Sequence, residues 1–371
     1  MHIVILGTAY PYRGGLAAFN ERLARQFQSE GHSVRVYTFK LQYPDFLFPG
    51  KTQYSDEPEP QDLDIQRQMN SVNPFNWIKV GKLLKKERPD LLVVKFWLPM
   101  MAPCLGTIAR IARHNKKTRV ISVLDNIIPH EHRVADRVLA RYFVKSVDGF
   151  VAMSESVLND VGVFDNRKPR RFSPHPLYDN FGMSVSRGEA LSYLKLDHNM
   201  RYLLFFGLIR DYKGLDLLLQ AYADERIDKS KVRLIVAGEF YNNGDQYRQL
   251  EEQLGLQGLI EWRTHFVPDH EVRYYFSAAD LIVQPYKSAT QSGVTQIAYH
   301  FERPMIVTRV GGLAEIVPDR KVGYVCEVSP QSIADAIVDF YADNVDRFHD
   351  ALVREKQKYA WNRMTETIMS L

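Results

Sequence analysis

The chain is poor in cysteine. Of its 371 residues only Cys104 and Cys326 are cysteines, far apart in sequence. That excludes a disulfide framework or a thiolate zinc site and fits a reducing cytosol. No apolar run approaches the ~20 residues of a membrane span. Met1-His2-Ile3 lacks the charged and apolar regions of a signal peptide, so the expectation is a cytoplasmic protein, at most peripheral on the inner face of a membrane. There is no GxGxxG fingerprint and no ribose-reading acid at the matching distance, which disfavours a dinucleotide dehydrogenase. No Asp-x-Asp motif of the metal-dependent type is read, and neither a metal nor a cofactor is expected. Low-complexity tracts are absent as well.

What is present is ordinary for a globular protein, with 45% hydrophobic and 25% charged residues. The length fits two domains. Strand-like runs alternate with helical ones at 2–6, 34–38, 91–95, 120–124 and 149–153, and again at 202–206, 233–237, 281–284, 305–308 and 323–326. The alternation predicts α/β units with parallel sheets. It runs twice, about a polar break between Pro176 and Asn199. We expect a first domain over 1–178 and a second over 179–356, doubly wound and facing each other, with ligand at the strands' carboxyl ends in the cleft between them. A C-terminal helix from about Phe340 carries Trp361, Met364 and Ile368 as an apolar stripe. Its last part, about 357–371, is expected to cross back onto the first domain. The stretch 41–75, rich in Pro, Gln and Asp, reads as a long excursion or small hairpin.

The formal net charge is +4. Positive residues cluster in the first half, at Lys79, Lys82, Lys85, Lys86 and Arg88, at Arg110, Arg113, Lys116, Lys117 and Arg119, and at Arg133, Arg137, Arg141 and Lys145. A solvated face is the ordinary account of such runs. A surface resting on anionic lipid headgroups is the functional one. Aromatics do not interleave with these runs in a stacking pattern, so nucleic acid is not an expected partner.

The most informative stretch is Phe205-Phe206-Gly207-Leu208-Ile209-Arg210-Asp211-Tyr212-Lys213-Gly214. A strand ends at Gly207, two cations follow at a spacing of three, and a helix opens at Leu215. Arg grips phosphate oxygens with a planar fork and Lys adds a point charge, so this is a phosphate site in outline. The same grammar opens the chain. Ile3–Leu6 is a buried-strand run, Gly7 ends it, and Pro11-Tyr12-Arg13-Gly14-Gly15 leads into a helix with Phe19, Leu23 and Phe27 on one face. Gly14 and Gly15 let a ligand approach free N–H groups at that helix start, although a tight turn explains the pair equally well.

Further segments complete a pattern: Val236-Ala237-Gly238-Glu239, Ala278–Tyr286, Ser288-Ala289-Thr290-Gln291-Ser292-Gly293, and Pro304–Glu315 with its Gly311-Gly312 pair. Together with Arg210 and Lys213 these strongly resemble family 4 retaining glycosyltransferases of the GT-B fold, across nearly the whole chain. Gly31-His32-Ser33-Val34 and Ser154-Glu155-Ser156 match that family's first domain. The resemblance implies that Arg210 and Lys213 bind the donor diphosphate and that Gly14 and Gly15 lie against donor phosphate and acceptor. The family's pair of Glu residues has no counterpart, since Ala289 and Ile297 occupy those positions. The loop Thr290-Gln291-Ser292-Gly293 resembles a bacterial polysaccharide subgroup, with Gly293 at a helix N-terminus that favours a diphosphate and Thr290 or Gln291 facing sugar hydroxyls. Glu315 matches a family position and is equally a surface helix-start acid.

In the first domain, Val120–Leu124 delivers Asp125 to a strand's carboxyl end, where the family often places a His. His130-Glu131 is a second candidate for the polar catalyst, and the choice between Asp125 and His130 stays open. Trp97 reads as a core aromatic or a pocket wall, and His175 as a junction residue. The resemblance implies transfer of a sugar, with retention, from a UDP- or GDP-linked donor to a glycan or lipid-linked acceptor in cell-surface polysaccharide synthesis. Two other classes remain. A GT-B nucleotide-sugar epimerase or a phosphorylase would act on donor without an added acceptor. A non-catalytic sugar-nucleotide-binding protein would bind donor and turn nothing over, and the retention of both cations argues against it.

Overall fold

Apolar runs without polar alternation become strands covered on both faces. In a computed structural model, which describes all residues except 45–52, 56–57, 129–134, 242–243, 290–291 and 343–344 and the side chains of 345–346, the chain divides into two units. One is Met1–His175 with Trp361–Leu371, and the other is Pro176–Ala360.

The first unit holds β1 (His2–Leu6), β2 (Ser33–Leu41), β3 (Asp64–Asn70), β4 (Leu91–Phe96), β5 (Arg119–Leu124), β6 (Gly149–Ala152) and β7 (Arg170–Phe172). Their order is β3-β2-β1-β4-β5-β6-β7, and every pair is parallel. Successive side chains point to opposite faces. Val4, Leu6, Leu92, Val94, Phe96 and Leu124 enter one core, with the helices Pro74–Glu87, Ala102–Arg113 and Asp136–Ser146. Ile3, Ile5, Leu91, Val93, Ile121 and Val123 enter the other, with the helices Gly15–Ser29 and Trp361–Met369.

The second unit holds β8 (Arg201–Phe206), β9 (Val232–Ala237), β10 (Ile260–Arg263), β11 (Leu281–Gln284), β12 (Met305–Thr308) and β13 (Gly323–Cys326), ordered β10-β9-β8-β11-β12-β13, again parallel. Counted from each unit's first strand, both orders begin 3-2-1-4-5-6, with β7 added at the far edge of the first, so the direction reverses between β1 and β4 and between β8 and β11. Ligands of doubly wound sheets bind at such reversals, outside the carboxyl ends.

Three expectations need correction. The stretch 41–75 is no mere excursion, because it supplies β3, an edge strand with only Met69 fully buried and therefore little apolar signal. The polar break 176–199 contains the helix Arg187–Leu194, which buries Ala190, Leu191 and Leu194 in the second core. The helix expected from Phe340 to Leu371 is broken into Pro330–Ala342, His349–Lys356 and Trp361–Met369. Phe340, Phe348, Leu352 and Tyr359 belong to the second core, whereas Trp361, Met364 and Ile368 belong to the first. The backbone turns between these sets at Ala360, which is extended at φ −66°, ψ 141°. Among the described residues no helix is long and apolar enough to cross a membrane.

Candidate active site

Gly207 ends β8 at φ 94°, a conformation that favours glycine. A Cβ built there would lie 3.0 Å from Lys213 Nζ and 3.8 Å from Val294 Cγ2. The bare glycine thus lets the ammonium and the first turn of the helix Gly293–His300 come together above it. Two more glycines hold the loops in place. A Cβ on Gly214 would stand 2.0 Å from the Pro285 carbonyl oxygen, and one on Gly238 would stand 2.3 Å from that of Gly207. The loops after β8, β9 and β11 therefore pack backbone on backbone. Ile209 N–H donates to Glu239 O at 2.7 Å, and Lys287 N–H donates to Tyr212 O at 2.7 Å.

Lys213 is 9% exposed. Burial, and after it the nearby Arg210 charge, push its pKa down to about 8. Arg210 stacks its guanidinium 4.0 Å over the Tyr241 ring, and its buried Nε finds no acceptor among the described residues. Among the described residues neither cation has a carboxylate partner. A buried lysine beside a half-buried arginine, with no counter-ion among the described residues, is an incomplete charge arrangement of the kind an anion completes. The helix Gly293–His300 begins without a side-chain cap, because Ser292 Oγ pairs with the Tyr286 hydroxyl at 3.2 Å instead. Its first N–H groups are thereby left for an anion. Gly207, Arg210, Lys213, Ser292 and Gly293 are thus gathered at the reversal of the second sheet. Thr290 and Gln291 lie outside the described residues. Glu315 is exposed on the short turn Leu313–Ile316, and no hydrogen bond among the described residues joins it to the cluster.

In the first unit Gly14 caps the helix Gly15–Ser29 at φ 98°, with open space at its Cβ position and no side-chain cap on the helix. Asp125 follows β5 and donates its backbone N–H to Phe96 O at 2.9 Å. Its carboxylate accepts from Lys95 Nζ at 2.7 Å. Sequence reasoning missed Lys95, although a signal was there: it is the one charge in the run Leu91-Leu92-Val93-Val94-Lys95-Phe96, which is buried throughout. His130 and Glu131 lie outside the described residues. Trp97 donates Nε1–H to the Tyr43 hydroxyl at 2.7 Å, and the His175 ring packs 5.5 Å from Phe19. One Asp-x-Asp triplet does occur, Asp62-Leu63-Asp64 at the start of β3. Arg25 and Arg35 occupy its carboxylates, each at 2.6 Å.

Residues 200–343 match the family described as Glycosyl transferases group 1, and residues 13–171 match Glycosyltransferase Family 4. The D-inositol 3-phosphate glycosyltransferase of Thermobifida fusca (strain YX) is 31% identical over 339 residues, spanning 82% of this chain and 75% of that protein. The chain belongs to glycosyltransferase family 4. Solved structures agree in fold. The sucrose-phosphate synthase of Thermosynechococcus elongatus superposes with a TM-score of 0.72 at 15% identity, over 100% of this chain and 97% of that one. HepE of Anabaena in complex with UDP and glucose superposes with a TM-score of 0.70 at 16% identity, over the whole of both chains. The transferase therefore has the GT-B fold, with one parallel α/β sheet in each domain.

Proposed function

We propose that this glycosyltransferase moves a sugar from a nucleotide-sugar donor to a glycan or lipid-linked acceptor, with retention and without a metal, as a step in cell-surface polysaccharide synthesis at the cytoplasmic side of the membrane. The observation that carries the reading is the uncompensated pair Arg210 and Lys213 beside Gly207 and an uncapped helix N-terminus. In the step envisaged, the bond from the sugar's anomeric carbon to the diphosphate oxygen breaks. The acceptor oxygen bonds to that carbon from the same face, and the acceptor's proton passes to the departing phosphate oxygen. Negative charge grows on the diphosphate as it leaves. Fixed cations and N–H dipoles that need not reorganise stabilise that charge most. Asp125, at the carboxyl end of β5, is the polar group that orients the acceptor hydroxyl. Thr290 or Gln291 is the group proposed to hydrogen-bond the donor sugar's hydroxyls.

The nucleotide is assigned by a thermal-shift screen with UDP, GDP and ADP, since a ligand of the native state raises its stability. HepE, solved with UDP, makes UDP the first to try. Arg210→Ala and Lys213→Ala should each raise the barrier to turnover by roughly 2–4 kcal/mol. Turnover within a few-fold of the native rate in both variants would remove them from the site.

A further inference from the structure

Lys95 has an ionic role that the stability of the sheet does not explain. Its side chain is 1% exposed, and the carboxylate it holds, Asp125, is 25% exposed. The pair is therefore asymmetric, with the cation inside the domain and the anion at its edge. Around the ammonium stand the Phe19 ring at 3.7 Å to its centroid and the Met153 sulfur at 4.0 Å. Among the described residues Asp125 is the one carboxylate in ion-pair contact with it, and the His175 ring packs against the Phe19 ring that covers it. Lys95 uses one oxygen of Asp125, Oδ1, and no described residue bonds to Oδ2.

A buried ion pair is seldom a net stabiliser, and an apolar residue of similar volume usually serves a core as well or better. The neighbouring β4 residues on this face, Leu91 and Val93, are apolar. A lysine in that row costs stability. Its surroundings are also unusually polar for a core. Asn20 Nδ2–H donates to Thr8 O at 2.8 Å, while Asn20 Oδ1 and Thr8 Oγ1 are buried with no partner among the described residues. A Cβ on Gly7 would stand 2.5 Å from Asn20 Nδ2 and 3.1 Å from Lys95 Cβ, so the glycine provides the room for both side chains. All of this lies where β1 and β4 reverse the strand order, the ligand end of the sheet.

We propose that Lys95 is a positioning residue for sugar transfer: anchored beneath the sheet's edge, it holds the Asp125 carboxylate by Oδ1, with Oδ2 turned to accept a hydrogen bond from the acceptor hydroxyl. The inference rests on the reading of Asp125 as that polar group. Lys95 itself touches no substrate. A carboxylate held by one oxygen keeps a single orientation for the other, and orientation is where much of such a group's catalytic effect resides.

The test is a double-mutant cycle on Lys95→Met and Asp125→Asn. Turnover is read as nucleoside diphosphate release, with UDP-glucose, GDP-mannose and ADP-glucose each offered to the native enzyme together with a bacterial lipid extract as the source of acceptor hydroxyls, and the productive one kept. Each single variant should lose about 100-fold in turnover. The double variant should lose no more than either single, because each removes the same interaction. Lys95→Arg, which keeps the charge, should recover most of the rate. Lys95→Met leaves a part-exposed carboxylate without its cation and should melt somewhat below the native temperature, while its thermal shift with the productive nucleotide should be unchanged. A native-like rate in D125N sinks the reading of Asp125. A slow D125N beside a native-like K95M, or losses that multiply in the double variant, sinks the positioning role alone.

Discussion

Lys213 is charged in a place that penalises charge. Its pKa is pushed down to about 8, first by burial and then by Arg210. In the unfolded chain an ordinary lysine titrates near 10.4. Below pH 8 both states hold the proton and folding bears the full penalty. Between about 8 and 10.4 the unfolded state binds a proton that the native state has released, so this group's contribution makes stability rise with pH across that window. Lys213→Met should therefore stabilise the enzyme at pH 7 by roughly 2–3 kcal/mol while raising the barrier to turnover by the roughly 2–4 kcal/mol expected of Lys213→Ala. A bound diphosphate restores the proton, so affinity for the nucleoside diphosphate should fall by up to about tenfold per pH unit above 8. Calorimetric titration from pH 7 to 9.5 checks this, and a flat profile would show that Lys213 does not face the ligand. The Arg210–Lys213 cluster was legible in the sequence because its cations, glycine and helix start are neighbours in the chain. Lys95 was not, because its partner Asp125 comes from the next strand, 30 residues on. A lone lysine in an apolar run acquires meaning only once β4 and β5 are paired.

At the scale of elements, strands buried on both faces were legible as unbroken apolar runs. The missed strands, β3, β7 and β10, are all sheet edges. An edge needs one apolar flank at most, and Arg170-Arg171-Phe172 or Asp64–Asn70 carry almost no such signal. The basic runs divide in the same manner. Arg113 pairs with Asp148 at 2.5 Å and Lys117 with Asp90 at 2.8 Å, so the run 110–119 is largely engaged within the domain. The helix Pro74–Glu87 is different. It buries Val80, Gly81 and Leu84 and turns Phe75, Ile78, Lys79, Lys82 and Lys86 outward. These positions, at i, i+3, i+4, i+7 and i+11, form one stripe. Phe75 is 84% exposed, an unusual setting for a ring unless something covers it. Apolar anchors flanked by lysines suit the interface of an anionic bilayer. We expect the enzyme to co-sediment with vesicles containing anionic lipid at low salt and to be released as salt screens the charges. Phe75→Ser should weaken binding several-fold, and Lys82→Glu with Lys86→Glu should abolish it. Equal binding to neutral vesicles, or none at low salt, returns the stripe to a merely solvated face.

The whole chain is organised by which core each segment serves. The last helix shows this most clearly, because it follows the second domain in sequence and completes the first in space. Trp361 packs 5.2 Å from Phe19, ring to ring, and Arg22 lies 5.2 Å over the indole. Thr365 donates its hydroxyl to Glu30 at 2.6 Å, and Arg119 reaches the Met369 carbonyl at 3.0 Å. Phe19 in turn covers the Lys95 ammonium, so the tail supports the face of the sheet on which the proposed acceptor site depends. Truncating a buried Trp leaves a cavity that the surrounding side chains only partly fill, at a cost of about 3–5 kcal/mol. Trp361→Ala should lower the amide-exchange protection of β1, β4 and β5 by that amount and leave β8, β9 and β11 as they were. It should also slow turnover more than it weakens nucleotide binding, since the Arg210–Lys213 cluster, the proposed diphosphate site, belongs to the other core. Protection lost equally in both sheets would mean that the two domains unfold as one unit and that the tail is a general clamp. Protection lost in neither would mean that the first core closes without it.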